Sequence, residues 1–323
     1  MNLKSNPTLK SRRVKVGITL GDPSGIGSAV ILKALRELGS LAQFYIIGDS
    51  WVLDKTGLGS SFCGSVNFID LNNVSRKKFE FGKVRPEYGL ASMEYLDTCL
   101  ELINNGSIDC IVTGPISKEA VNLAGYRISG QTEYFALKTK SRNIAMMLLN
   151  DKLKFSLATR HIPLKDVFSK LNRKMLRDNI ELTESALSRL FAVKKPRLVV
   201  CGLNPHASDN SLIGQEENKV IKPAVKGFCN VSGPISADIA IAKLMRKEYD
   251  CAIAMYHDQA LIALKLTGSG QGVNLTLGLP FIRTSPLHGT AFDIAKNPKA
   301  ADPSSTIQAI KVAIQCTINQ KKA

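Results

Sequence analysis

The chain is 323 residues long and 44% hydrophobic, enough to bury a large core and suited to one large or two medium α/β domains. Its uncharged apolar runs, such as 143–150 (NIAMMLLN), fall far short of the ~20 residues that a membrane-spanning helix requires. A net charge of +16 would suit a nucleic-acid binder, but the excess is diffuse and only seven tyrosines and one tryptophan interleave it, so the reading preferred is a solvated surface that attracts anionic metabolites, with no nucleic acid and no membrane as partner.

The first 15 residues hold five cations, no acid and no apolar core of a secretory signal, and they read as a loose terminus. From there short β-branched runs alternate with helical patterns, the mark of parallel βαβ units. The first predicted strand, 14–20, runs into GDPSGIG and then the helix SAVILKALREL. With Gly21, Gly25 and Gly27 this strand, turn and helix resemble a phosphate-binding loop, although a tight structural turn explains them equally well and the spacing is neither G-x-G-x-x-G nor Walker A. Strands follow at 43–48 and 66–71, then a helix at 90–103 with Leu90, Met93, Leu96, Cys99 and Ile103 at helical spacing. Next come strands 108–113, 144–149 and 155–159, a helix at 177–191, a strand at 197–202, a helix at 236–249, and strands 251–256 and 273–277. Seven cysteines, scattered and without a C-x-x-C pair, imply reduced, mostly buried thiols and a cytoplasmic location.

Three of the four histidines stand at the ends of apolar strands: His161 closes FSLATRH, His206 closes LVVCGLNPH and His257 closes CAIAMYH. In a parallel sheet the carboxyl ends of strands meet at one edge, so these imidazoles converge as candidate ligands of a divalent metal with positions left for water or substrate. Each histidine taken singly reads as a hydrogen-bonded strand end. Asp258, directly after His257, is the candidate for proton transfer, and Asp238 reads equally as a carboxylate beside the metal or as a first-turn residue of its helix. Lys265, Asn274 and Arg283 lie among glycines and short strands, where two cations and an amide can clamp a phosphate and a carboxylate. GSGQG at 268–272 does not match the Rossmann fingerprint.

The ordered motifs GITLGDPSGIG, VTGPISKEAV, GQTEYFA, ATRHIPLKDV, GLNPHA, AMYHDQ, GVNLTLGLPFIRTS and HGTAFDIA resemble the 4-hydroxythreonine-4-phosphate dehydrogenase family, within the isocitrate and isopropylmalate dehydrogenase-like superfamily. The resemblance implies an α/β fold of two domains, mostly parallel sheets flanked by helices with a cleft between: residues 1–128 plus 281–323 form the first, and 129–280 the second, which carries the metal ligands and the dimer interface. It implies a homodimer whose active site is shared between subunits. It assigns His161, His206 and His257 to one divalent ion (Zn, Mg or Co), and Gln131, Thr132, Lys265, Asn274 and Arg283 to the substrate. HGTAFDIA points to His288, Gly289, Thr290 and Asp293 for NAD, with NADP as the alternative; Asp293 would accept from a ribose hydroxyl and repel a 2′-phosphate. The implied reaction is metal-dependent oxidation with decarboxylation of 4-phosphooxy-L-threonine to 3-amino-2-oxopropyl phosphate, in pyridoxal phosphate biosynthesis.

Three positions depart from the family pattern. Gln131 replaces a histidine that helps hold the substrate phosphate, Leu287 replaces an acidic residue, and Lys296 replaces a glycine. The first keeps an alternative open, a paralogue acting on another four-carbon phosphorylated sugar acid such as threonate or erythronate phosphate. Rivals of other classes are a nucleic-acid-binding protein using the basic surface and a family member that keeps the fold only as a binding protein.

Overall fold

A computed structural model describes residues 13–59, 65–268 and 270–323. The basic terminus, as far as residue 12, and Cys63 lie outside the described residues. Strands β1 (Lys15–Thr19), β2 (Gln43–Gly48), β3 (Ser65–Asp70) and β4 (Cys110–Thr113) alternate with helices α1 (Gly27–Leu38), α2 (Ser50–Lys55) and α3 (Pro86–Asn104). After α4 (Lys118–Leu123) and α5 (Gln131–Thr139) come β5 (Ala145–Leu149) and β6 (Lys154–Leu157), then α6 (Leu164–Lys170) and α7 (Arg173–Arg189). Strand β7 (Leu198–Cys201), α8 (Lys222–Val225), β8 (Val231–Ile235), α9 (Ala237–Met245), β9 (Cys251–Ala254) and α10 (His257–Gly268) follow. The last elements are β10 (Val273–Leu277), β11 (Ile282–Pro286) and α11 (Ser304–Gln320).

All these strands join one sheet in the order β3-β2-β1-β4-β11-β10-β5-β6-β9-β7-β8. Pairing is parallel except for β10 with β11, β10 with β5 and β5 with β6. Those reversals turn the strand direction over in the middle of the sheet. The carboxyl ends of β1 to β4 and β11 therefore leave one edge, and those of β6, β7, β8 and β9 leave the other. Because β6, β9 and β7 are adjacent and parallel, the segments bearing His161, His257 and His206 depart from the same edge.

Burial explains the strands. All five residues of β5 (AMMLL) are buried, as expected where helices cover both faces of a sheet. On one face α9 and α10 insert Ala240, Leu244, Ala260 and Leu264 against Val199, Cys201, Ala252 and Ala254. A second cluster packs α1, α3 and α11 around β1, β2 and β4. Each fully buried Leu, Ile or Phe there contributes about 1.5–3 kcal/mol. Helix starts follow their caps: Asn172 accepts from Met175 N at 2.9 Å to open α7, and Ser117 accepts from Ala120 N at 3.1 Å to open α4.

Two strands escape the sequence pattern. Strand β8 (VSGPI) contains Gly-Pro and sits at the sheet edge, where a missing N–H is tolerated. Strand β11 (IRTSP) looks polar, yet all five residues are buried. The GDPSGIG segment is a structural turn. Residues 21–30 are buried, and its amides are spent internally: Asp22 N on Pro115 O (2.8 Å), Ser24 N on Asp22 Oδ1 (2.9 Å) and Ile26 N on Thr290 O (2.8 Å). Gly21 has φ +76, and a Cβ there would lie 2.3 Å from Pro115 O. Among the described cysteines Cys99, Cys110, Cys201, Cys251 and Cys316 are buried free thiols, and Cys229 is free and exposed.

Candidate active site

The site lies over one face of the sheet where direction reverses. Side chains two apart on a strand share a face, and register aligns them across strands. Ser285, Asn274 and Leu148 form one rank across β11, β10 and β5, and Arg283, Thr276 and Met146 form the next. A cavity of about 290 Å³ opens above them, walled by Thr113 at the end of β4, by Gln131 and Thr132 at the start of α5, by His161 and His257, and by His288 and Gly289.

Arg283 organises the floor. It is 2% exposed, and its guanidinium donates only to neutral oxygens: to Thr113 Oγ1 (2.6 Å from Nη2, 3.2 Å from Nε), Thr276 Oγ1 (3.1 Å), Thr132 Oγ1 (3.3 Å) and Gln131 Oε1 (3.2 Å). Burial without an ion-pair partner among the described residues pushes its pKa down to about 10, so it stays charged at neutral pH. Gln131 is held at its other end, donating from Nε2 to Gly114 O at 2.9 Å. Each threonine hydroxyl that accepts from the guanidinium keeps its own proton to give. Two further atoms wait on the cavity wall: Asn274 Oδ1 and His288 Nε2 are shut off from solvent without a hydrogen-bond partner.

His161 and His257 face each other with ring centroids 5.5 Å apart. Two imidazoles on one ion at metal–nitrogen distances of ~2.0–2.1 Å have centroids roughly 5–6 Å apart, so this pair fits a shared divalent ion. Desolvation, then the positive charge of Lys118, holds the His161 pKa below its usual value and favours the neutral, ligating form. His257 Nδ1 lies 2.6 Å from Asp258 Oδ1; a carboxylate only accepts, so Nδ1 is the donor in this contact and Nε2 is the ring nitrogen it leaves for a ligand.

Other sequence-predicted residues stand apart. His206 is exposed and does not line the cavity, and among the described residues no three His, Cys, Asp or Glu side chains are grouped for a metal. Lys265 is exposed on α10, one turn beyond Leu261 on the stripe that begins at His257. Thr290 contributes its carbonyl to Ile26 N, Gly289 has open space where a Cβ would stand, and Asp293 is exposed. Asp238 lies in the first turn of α9, bonded to Ser236 Oγ at 2.6 Å.

His206 opens a run of six non-glycine residues, 206–211, with φ between 42° and 75°. Left-handed backbone costs such residues about 1–2 kcal/mol each. Sequence reasoning did not find this turn, nor Thr113, Thr276 and Gln259. Gln259 joins two strand ends, accepting from Met255 N at 2.7 Å and donating to Gly202 O at 2.9 Å. Thr113 and Gln259 fall within motifs legible in the sequence, VTGPIS and YHDQ; Thr276 carries no local signal.

Fold and cavity together define the class: an α/β protein with a buried cation on the floor of a cavity beside a pair of imidazoles. The family model for the pyridoxal phosphate biosynthetic protein PdxA matches residues 26–313. The 4-hydroxythreonine-4-phosphate dehydrogenase of Sulfurihydrogenibium sp. (strain YO3AOP1) is 42% identical over 317 residues, covering 93% of this chain and 98% of that protein. The D-threonate 4-phosphate dehydrogenase of Salmonella typhimurium is 38% identical over 323 residues, covering 93% and 98%. The crystal structure of 4-hydroxythreonine-4-phosphate dehydrogenase from Klebsiella pneumoniae matches with a TM-score of 0.84 at 34% identity, over 96% of this chain and 99% of that one. The chain belongs to the pyridoxal phosphate biosynthetic protein PdxA family, and it is a dehydrogenase.

Proposed function

We propose that this chain oxidises the secondary alcohol of a small phosphorylated hydroxy acid, with NAD⁺ (NADP⁺ as the alternative) as hydride acceptor and one divalent ion, Zn, Mg or Co, held by His161, His206 and His257. The observation that carries the reading is Arg283, a buried cation bonded only to neutral oxygens on the floor of a cavity that also presents two facing imidazoles. An anionic substrate group supplies the missing charge.

The ion would supply Lewis-acid polarisation of the substrate hydroxyl and of the carbonyl that replaces it. Arg283, Thr132 and Lys265 bind the phosphate and carboxylate, and Asn274 Oδ1 accepts from a substrate donor, which fixes the carbinol carbon for hydride transfer. Asp258 keeps the proton at His257 Nδ1 and, being exposed, exchanges protons with solvent. His288, Gly289, Thr290 and Asp293 hold the cofactor, with His288 Nε2 as the unpartnered group that meets it.

The substrate proposed is 4-phosphooxy-L-threonine, giving 3-amino-2-oxopropyl phosphate and CO₂. The second reading is D-threonate 4-phosphate or a related sugar acid; Gln131, which brings no charge to the anion site, and the name of the Salmonella relative favour it.

Residues 1–128 with 281–323 form one domain and 129–280 the other. The enzyme is a homodimer with shared sites: the outward faces of α9 and α10 expose Ile239 (48%), Ile262 (61%) and Leu266 (81%), and Leu212 beyond the His206 turn is 82% exposed. His206 and Lys265 then enter the site of the second subunit. The free thiols suit a reducing cytoplasm.

Anaerobic NADH production over a panel of phosphorylated hydroxy acids, with and without chelator, tests the proposal. Turnover of phosphohydroxythreonine that chelation abolishes supports the first reading. Turnover of threonate phosphate alone selects the second, and turnover of neither ends both.

A further inference from the structure

The metal site proposed above needs His206, and the backbone that carries His206 cannot hold itself. Residues 206–211 are left-handed without a glycine among them, a conformation that persists only where the surroundings over-determine it. The surroundings converge on one side chain. Glu217 is 0% exposed, and both its carboxylate oxygens are aimed at the turn. Oε1 accepts from Leu203 N (2.8 Å) and Asn204 N (2.7 Å), the two residues that lead into it. Oε2 accepts from Asn204 Nδ2 (2.9 Å) and from Ser208 Oγ, in the turn itself. Glu216 adds a second bond to Asn204 Nδ2 at 2.8 Å.

The fit is close on the other side as well. At Gly202 a Cβ would lie 3.0 Å from Ala207 Cα and 3.3 Å from Glu217 Oε1, so β7 meets the turn without room for a side chain. Gln259 then ties Gly202 to Met255, two residues before His257. The clamp on the His206 turn and the strand end that delivers His257 are thus one connected piece. A fully buried carboxylate costs free energy, and so does left-handed backbone; holding both in one place is explained by what the turn carries on its exposed face, His206.

We propose that Glu217 is a positioning residue that clamps the left-handed turn so that the His206 imidazole is presented in ligating geometry before the ion arrives. The proposal rests on the metal reading above. Once the clamp is gone, the turn relaxes toward ordinary backbone and the ligating population of His206 falls. Apparent metal affinity falls by the same factor.

The experiment is a Co²⁺ titration of the metal-stripped full chain, followed by calorimetry and the visible Co²⁺ band, in wild type, His206→Ala, Glu217→Gln and Ser208→Ala. Glu217→Gln puts N–H groups against N–H donors and is expected to weaken Co²⁺ binding roughly 10- to 100-fold in a chain that still unfolds cooperatively. Adding Ala207→Gly and Asp209→Gly to that variant is expected to recover affinity severalfold, because glycine enters the left-handed region without penalty. Lower thermal stability with unchanged Co²⁺ affinity would show a purely structural role and overturn the proposal. Should Glu217→Gln not fold, Ser208→Ala removes a single bond to the same carboxylate and must still weaken binding; unchanged affinity there is equally fatal. The His206→Ala control separates the two levels. If it loses Co²⁺ while Glu217→Gln does not, only the clamp is wrong; if it binds as wild type does, the metal reading falls and the clamp with it.

Discussion

Gln131 shows how one side chain sets the chemistry of a site through another. Its Oε1 takes one of the Arg283 N–H groups and its Nε2 is anchored on Gly114 O, so it fixes the guanidinium without neutralising it. Gln131→Glu would give the buried cation a carboxylate partner. Charge-assisted bonds are roughly twice as strong as neutral ones, but the second carboxylate oxygen would face Gly114 O where Nε2 now donates, so the variant is expected to melt close to wild type while losing at least about tenfold in affinity for phosphate. Melting curves with and without inorganic phosphate check both halves. A second buried charge is Asp22, 0% exposed, with Oδ1 bonded to Ser24 and Oδ2 unpartnered. Burial raises its pKa from 3.8 to about 6. Its folded-state pKa thus exceeds its unfolded value, so its contribution is fully present below about pH 4 and is lost as pH rises through about 6. At pH 7.5 the penalty is on the order of 2–3 kcal/mol. Asp22→Asn should therefore gain stability relative to wild type as pH rises from 4.5 to 7.5, as read by denaturant unfolding at the two pH values.

The loops behave as coupled elements. The turn after β1 and the HGTAF segment after β11 meet where Ile26 N bonds Thr290 O, and a Cβ on Gly25 would lie 3.0 Å from that oxygen. Gly25→Val is therefore expected to displace the proposed cofactor loop, raising KM for NAD⁺ severalfold while changing Co²⁺ affinity less than about twofold, since the imidazoles hang from β6 and β9. Initial-rate kinetics in each substrate, with a Co²⁺ titration alongside, read the difference. Legibility in the sequence follows the same division. Strands with flanking turn residues, such as β2 and β10, were readable to the residue because the apolar run Phe44–Ile47 in one and the alternating Val273, Leu275 and Leu277 in the other are local patterns. Strand β11 was not, because Arg283, Thr284 and Ser285 are buried by partners that come from β4, β10, α5 and α11.

At the scale of the whole molecule the proposal of shared sites has its own test. Chains inactivated by His206→Ala and chains inactivated by His257→Ala would each lack one ligand at every site. If His206 serves the partner's site, mixing and reassociating them in equal amounts restores one intact site per mixed dimer, or about a quarter of wild-type activity. Sites built within one chain would restore none.

By itself the sequence determined the α/β class, the order of the apolar strands, and that three histidines leave strand ends, because hydrophobic periodicity and turn residues are local properties. The tertiary structure decided which of those histidines meet. Direction reverses at β5 and β10, which lays the cavity on the sheet face above Arg283 and brings His161 to His257 while His206 faces outward on its left-handed turn. That outcome depends on strand pairing between segments more than 100 residues apart, such as β5 with β10, and no local pattern of residues encodes a partner.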